Sequence, residues 1–365
     1  MKRILIIAVV IIAAIVAGVM VINIYEADTE VTRETTKVGV ILNGADDDRS
    51  WGQSHADAVA QTAHELNLEA LYRENITPDT FAGTVDELVE QGCEIIIVNS
   101  VSFADGIIPA AEKYPDVSFF HAAGVSQARN LTTFFGRIYQ IRFLCGVVAG
   151  MQTKTNEIGY VAAFPYSEVN RGINAFALGV RAVNPDATVY VEWTNSWVDD
   201  EAARDATERL INSRNIDVMT LHTDSVTPLD VAQEHGVMSI GYNVDNSEYY
   251  PDTYLTAAVW EWEEFYTPYI LRCLQGKFEG ENYWLGIDTG VVSLAPLTEN
   301  VNEGTSEMVQ YYSEKLSSGE FDVFYGPIRD NTGALRVAEG ENITDVTLLN
   351  AFDWYVEGVV TADGQ

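Results

Sequence analysis

From residue 38 onward the chain repeats one rhythm: a short apolar run, a polar loop, then roughly ten to fifteen residues with helical spacing. Residues 38–42 form such a run, and 51–66 carry Ala and Val at helical intervals; 69–72, 78–91, 94–98, 104–113 and 117–121 continue the alternation. Runs that are apolar throughout belong to strands covered on both faces, and strands alternating with helices imply βαβ units in a parallel sheet. After a long helix-like stretch, 137–153, the rhythm restarts. Strands are expected at 158–162, 188–193, 218–221 and 237–241, with helices near 169–183, 199–212 and 228–235. Two such series in tandem predict an α/β protein of two Rossmann-like lobes, each a parallel sheet flanked by helices, joined by hinge crossovers. A helix at 261–275, a strand near 290–294, a helix at 305–317 and an element at 323–325 must then be shared between the lobes. The expected division is 38–155 with about 256–282 in lobe 1, and 156–255 with about 283–365 in lobe 2. A chain of 365 residues is long enough for two cores.

Lys2 and Arg3 precede residues 4–22, which contain no charged or polar side chain. As a helix this run spans about 28 Å, enough to cross a bilayer. Residues 1–25 therefore read as a membrane anchor or signal segment. The run exceeds the roughly 7 to 15 apolar residues of a cleaved signal peptide, which favours the anchor. Basic residues ahead of it place the remainder outside the cytoplasm. Residues 26–37, rich in Glu and Thr, form a polar tether. With 54 acidic against 21 basic residues the chain carries a formal charge of −33, a field that repels polyanions and excludes nucleic acid as a partner. Cys93, Cys145 and Cys273 show no CxxC or Cys/His ligand spacing, and the five His are scattered, so no metal or other cofactor is called for. Apolar neighbours suit buried thiols, and one disulfide with a spare thiol stays open.

In open parallel sheets the ligand crevice lies beyond the carboxyl ends of the strands. The residues there are rich in amides, hydroxyls and aromatic rings: Asn43, Asp48, Trp51 and Gln53 after the first strand, Asn99 and Ser100 after the third, then Phe164, Trp197, Asp224, Asn243 and Asp245. Flat aromatic faces with a few convergent hydrogen-bonding groups suit a neutral, planar, polar ligand. Asp46, Asp47 and Asp48 also suit capping of the following helix. Their spacing lacks the alternation and terminal Glu of a calcium loop. Neither a GxSxG elbow, a GxxxxGK[ST] loop, an HExxH helix nor a GxGxxG after the first strand is present, so the chain reads as a binding protein and not an enzyme.

The stretches Asp48-Arg49-Ser50-Trp51-Gly52-Gln53-Ser54, Phe135-Gly136-Arg137-Ile138-Tyr139-Gln140, Arg171-Gly172-Ile173-Asn174-Ala175-Phe176, Trp193-Thr194-Asn195-Ser196-Trp197 and Gly241-Tyr242-Asn243 together resemble the basic membrane protein family of substrate-binding lipoproteins, which includes purine nucleoside receptors. The resemblance runs over about residues 38–300. It implies the type I periplasmic-binding-protein fold, a purine ligand, and an ABC permease and ATPase as partners, with the chain outside the cell membrane and anchored to it. It also implies that Trp51 takes the place of the ring-stacking aromatic residue, that Asn243 takes a ligand-contacting acidic position, and that Trp260 takes that of a sugar-contacting lysine; Tyr139 lies in a matching stretch. These departures remove sugar-directed polar groups, so a free base such as adenine is expected in preference to a nucleoside. For Trp260 and Trp262, packing between the lobes is the competing account. A sensor role for the same fold, or a different small solute, is the alternative function.

Overall fold

The computed structural model describes residues 35–362. The anchor and most of the tether expected at 1–37 lie outside the described residues, and among those described no helix is long and apolar enough to cross a membrane.

The first series builds β1 (Lys37–Ile41), α1 (Trp51–Leu66), β2 (Glu69–Arg73), α2 (Pro78–Glu90), β3 (Cys93–Val98), α3 (Ala104–Lys113), β4 (Ser118–Ala122) and β5 (Leu131–Gly136). The second builds α4 (Tyr139–Gln152), β6 (Glu157–Ala162), α5 (Ser167–Val183), β7 (Thr188–Trp193), α6 (Asp200–Ser213), β8 (Val218–His222), α7 (Thr227–His235), β9 (Met238–Asn243) and β10 (Tyr254–Trp260). Then come α8 (Glu263–Leu274), β11 (Asn282–Leu285), β12 (Val292–Leu294), α9 (Thr305–Ser317), β13 (Ile328–Arg329), β14 (Leu335–Val337), α10 (Asp345–Asn350) and β15 (Val359–Thr361).

The strands form two sheets, ordered β11-β5-β4-β3-β1-β2 and β12-β10-β9-β8-β6-β7-β15. Five consecutive strands of each, β5-β4-β3-β1-β2 and β10-β9-β8-β6-β7, follow the same order, so the lobes are two copies of one topology. Every pairing in the first sheet is parallel, and in the second only β12 runs antiparallel, against β10. Val38, Val40, Ile95 to Val98 and Phe119 to Phe120 are all at most 2% exposed, which is the both-faces-covered state that their unbroken apolar runs require.

Two boundaries differ from the expected division. Helix α4 was expected in lobe 1, yet twelve of its fourteen residues are buried, and it packs on α5 so closely that a Cβ on Gly146 would lie 2.0 Å from the Phe176 carbonyl and one on Gly179 2.0 Å from that of Phe143. Strand β10 was also expected in lobe 1, but it continues the second sheet, pairing Ala257 with Gly241 and Val259 with Asn243. Lobe 1 is therefore 37–136 with 263–285, and lobe 2 is 139–260 with 292–361. The chain crosses three times, at 137–138, 261–262 and 286–291. The element expected at 323–325 is a turn, with the Tyr325 N–H donating to the Asp322 carbonyl. All three cysteines are free thiols: Cys93 and Cys145 are buried and Cys273 half-buried.

Candidate functional site

Where the carboxyl ends of the two sheets face one another lies a cavity of about 510 Å³, mouth included, within the size range of small-molecule clefts. Lobe 1 contributes Asn43, Trp51, Asn99, Ser100, Val101, Ala123 and Phe135; lobe 2 contributes Glu168, Trp197, Asp224, Tyr242 and Asn243. Ala123 and Asn243 hold φ of +55° and +73° at the ends of β4 and β9. Such backbone costs free energy for residues other than glycine and collects at sites that the surrounding structure holds rigid.

Trp51 opens α1 and is half-buried. Its indole N–H donates to the Asn99 carbonyl at 2.9 Å, and its ring meets Trp260 and Trp262 edge-on at centroid distances of 5.6 and 5.9 Å. The turn before it is set by Asp48, whose carboxylate accepts from the N–H groups of Ser50, Gly52 and Gln53 at 2.8 to 3.0 Å and so caps the helix. Only glycine fits at 52, because a Cβ there would lie 1.9 Å from the Ala45 carbonyl. Asn99 is fully buried; its Oδ1 accepts from the Asn43 N–H at 3.0 Å while its Nδ2 has no protein partner, leaving a donor at the cavity wall. Trp197 stands on the loop after β7, with its carbonyl accepting from the Asp224 N–H.

Two carboxyl groups enter from lobe 2. Burial raises Asp224 well above the usual carboxylate range, with the negative field of Asp48 and Glu168 adding to it and a hydrogen bond from Asn243 opposing. Burial likewise raises Glu168, against the pull of Arg171. Raised values favour the protonated carboxyl, the form that presents an O–H as well as an acceptor to a ligand. Asn243 is already engaged. Its Oδ1 accepts from the Trp260 indole at 2.8 Å, and its Nδ2 donates to Ser50 Oγ at 2.8 Å and to Asp224 Oδ1 at 3.2 Å.

The structure thus brings Asn43, Trp51, Asn99, Ser100, Trp197, Asp224 and Asn243 to one cavity, and sets the other expected site residues elsewhere. Asp48 holds the helix start. Gln53 donates to Asp57 on the helix surface. Tyr139 packs against Trp284 and Phe324. Phe164 lies behind Trp197, 5.9 Å away, stacked on Tyr166. Asp245 is exposed and accepts from the Ser247 N–H. Trp260 is 4% exposed, stacked on Trp262 at 4.6 Å, and buttresses Asn243 from outside the cavity. Sequence reasoning passed over Val101, Ala123, Phe135, Glu168 and Tyr242. Glu168 had a signal, an acid in the first turn of the helix after β6; the apolar members had none that distinguishes a wall from a core.

Residues 35–320 match the family described as ABC transporter substrate-binding protein, PnrA-like, or Bmp. This chain belongs to the Bmp family. The Bmp chain is 34% identical, over 95% of its length and 97% of the relative's, to a purine-binding protein of Brucella abortus. It is also 34% identical, over 86% of its length and 77% of the relative's, to a Haloferax volcanii protein whose name assigns it to ABC transporter glucose binding. Among solved structures, an ABC transporter solute-binding protein of Aeropyrum pernix superposes with a TM-score of 0.69 at 17% identity, covering 80% of this chain and 94% of that one, which establishes the shared two-lobed fold. As a Bmp protein the chain is a substrate-binding receptor and not an enzyme. The family implies a place outside the cytoplasm and a permease and ATPase as partners.

Proposed function

We propose that the receptor binds a purine between Trp51 and Trp197, a free base in preference to a nucleoside, and delivers it to an ABC importer. One observation carries the reading: an indole from each lobe lines the same cavity, with the unpaired Asn99 amide donor and the Asp224 and Glu168 carboxyls as the polar groups beside them. Aromatic faces suit a planar ring, and a donor set beside groups that both donate and accept suits the edge of a purine. The preference for a base is supported by Trp260, which stands at the position matched to a sugar-contacting lysine and spends its only polar group on Asn243. Ligand touching both lobes favours the closed arrangement by its differential affinity for it. Residues 4–22 then tether the receptor to the membrane from which the permease takes the ligand.

Calorimetry with adenine, guanine, adenosine, guanosine and glucose tests this. Adenine or guanine is expected to bind most tightly. Nucleosides tighter than either base would overturn the base preference, and glucose alone would overturn the purine. The glucose arm is there because the Haloferax relative has the same 34% identity as the Brucella one, over a shorter stretch.

A further inference from the structure

Beside the ring cavity, and sharing Ala123, Phe135 and Glu168 with it, lies a second chamber of about 870 Å³, mouth included. Arg171 stands in its wall and is 2% exposed. A guanidinium out of water is costly unless an opposite charge or a full set of acceptors compensates it. Arg171 has neither. It takes part in no ion pair among the described residues. Its Nη1 donates to the Leu348 carbonyl at 2.6 Å, its plane lies 5.3 Å from the Trp284 ring, and its Nε has no acceptor. The other fully buried arginine among the described residues, Arg142, also lacks an Nε acceptor, but it donates to Thr220, Tyr160 and Leu221, lies over the rings of Tyr160 and Tyr242, and lines neither chamber. Glu168, one helical turn before Arg171, is the nearest acid and favours the guanidinium through space, but burial raises its carboxyl toward the protonated form and it makes no ion-pair contact with Arg171.

We propose that this chamber is a subsite for an oxyanion carried by the ligand, a carboxylate or a phosphate attached to the ring, and that Arg171 reads it. The inference rests on the planar-ring reading of the adjoining cavity. Asn282 and Tyr283 of lobe 1 and Arg171 and Asn350 of lobe 2 line the chamber, so a group that fills it touches both lobes. The −33 charge of the chain slows the approach of any anion, so the gain falls on the dissociation rate.

The test is calorimetry on the full chain with adenine, adenosine, N9-carboxymethyladenine and adenosine monophosphate. At least one of the two anionic ligands is expected to bind about tenfold or more tighter than adenosine, a gain typical of one charge-assisted contact. Arg171→Gln is expected to abolish the difference between anionic and neutral ligands, and Arg171→Lys to keep part of it. Which anion gains separates carboxylate from phosphate. Equal affinity of neutral and anionic ligands for the unmodified protein overturns the subsite whether or not the variants fold, and leaves the ring cavity standing if adenine binds. Binding of no purine at all removes the ring reading and this inference with it.

Discussion

Replacing Trp260 with Phe separates two roles that sequence position alone leaves open, contact with ligand and support of Asn243. The indole N–H is lost, and the fully buried Asn243 Oδ1 loses its donor at 2.8 Å. Stranding a buried carbonyl costs about 1–3 kcal/mol. The stack on Trp262, at 4.6 Å and 8° between planes, survives in part with the smaller ring, at a further cost of about 0.5–1 kcal/mol. The expected loss of stability is thus about 1.5–4 kcal/mol, read in urea as a lower midpoint with unchanged slope. Ligand affinity is expected to fall less, because Asn243 keeps its bonds to Ser50 and Asp224. A cycle combining Trp260→Phe with Asn243→Ala should show coupling above about 0.5 kcal/mol, as for groups in one hydrogen-bond network. An unchanged midpoint with a collapse in affinity would refute the supporting role and put Trp260 in contact with the ligand.

Trp197→Ala is expected to weaken purine binding by about ten- to a hundredfold, the usual worth of one stacked face, with a small change in urea midpoint because the ring is only half-buried; unchanged calorimetric affinity would remove it from the site. Gly146→Ala places a methyl 2.0 Å from the Phe176 carbonyl, so despite the gain of about 1 kcal/mol in helix propensity a net loss of about 2 kcal/mol or more is expected in urea melts. Asp224 keeps a proton in the folded chain that the unfolded chain releases above its ordinary value of 3.8, so its contribution is present in full below that pH and declines as pH rises toward the raised folded value. Asp224→Asn should therefore make the fall of stability as pH rises above about 4 shallower, and an identical slope in the variant would contradict the assignment.

The strand and helix rhythm was legible because each signal is local. The helices at 51–66, 104–113 and 305–317 begin and end where polar and small residues interrupt the apolar spacing, and the strand at 188–193 is bounded by an Asn-Pro-Asp turn and an Asn-Ser pair. Lobe membership was not local. Nothing within residues 254–260 records that their backbone pairs with β9, and nothing within 139–152 records that two glycines bring α4 against α5. Strand β15 escaped notice because three residues at an edge carry too short a pattern, and β5 because its run of Leu, Thr and Phe leads directly into the next helix. The same division holds at the cavity. Trp51, Asn99, Trp197 and Asp224 follow from the rule that ligands meet the carboxyl ends of parallel strands. Trp260 also ends a strand, but on β10 its ring turns to the back of Asn243, a fact of side-chain direction that position in sequence does not carry.

Binding and closure share a residue. Asn243 lines the cavity from lobe 2 and donates to Ser50 Oγ of lobe 1; three residues on, the Asn246 amide donates to the Arg49 carbonyl at 3.0 Å, and the Arg49 guanidinium lies 4.8 Å over Tyr249. Arg49 holds φ of +54°, so this contact fixes a backbone conformation that its residue type does not prefer. At about 0.5–1.5 kcal/mol net for each hydrogen bond, the clasp is a modest force, small enough to break when the lobes part. A ligand that fixes Asp224, to which Asn243 also donates, therefore holds the same amide in the orientation that reaches Ser50. The Asn243 amide thus touches both Asp224 in the cavity wall and Ser50 across the cleft.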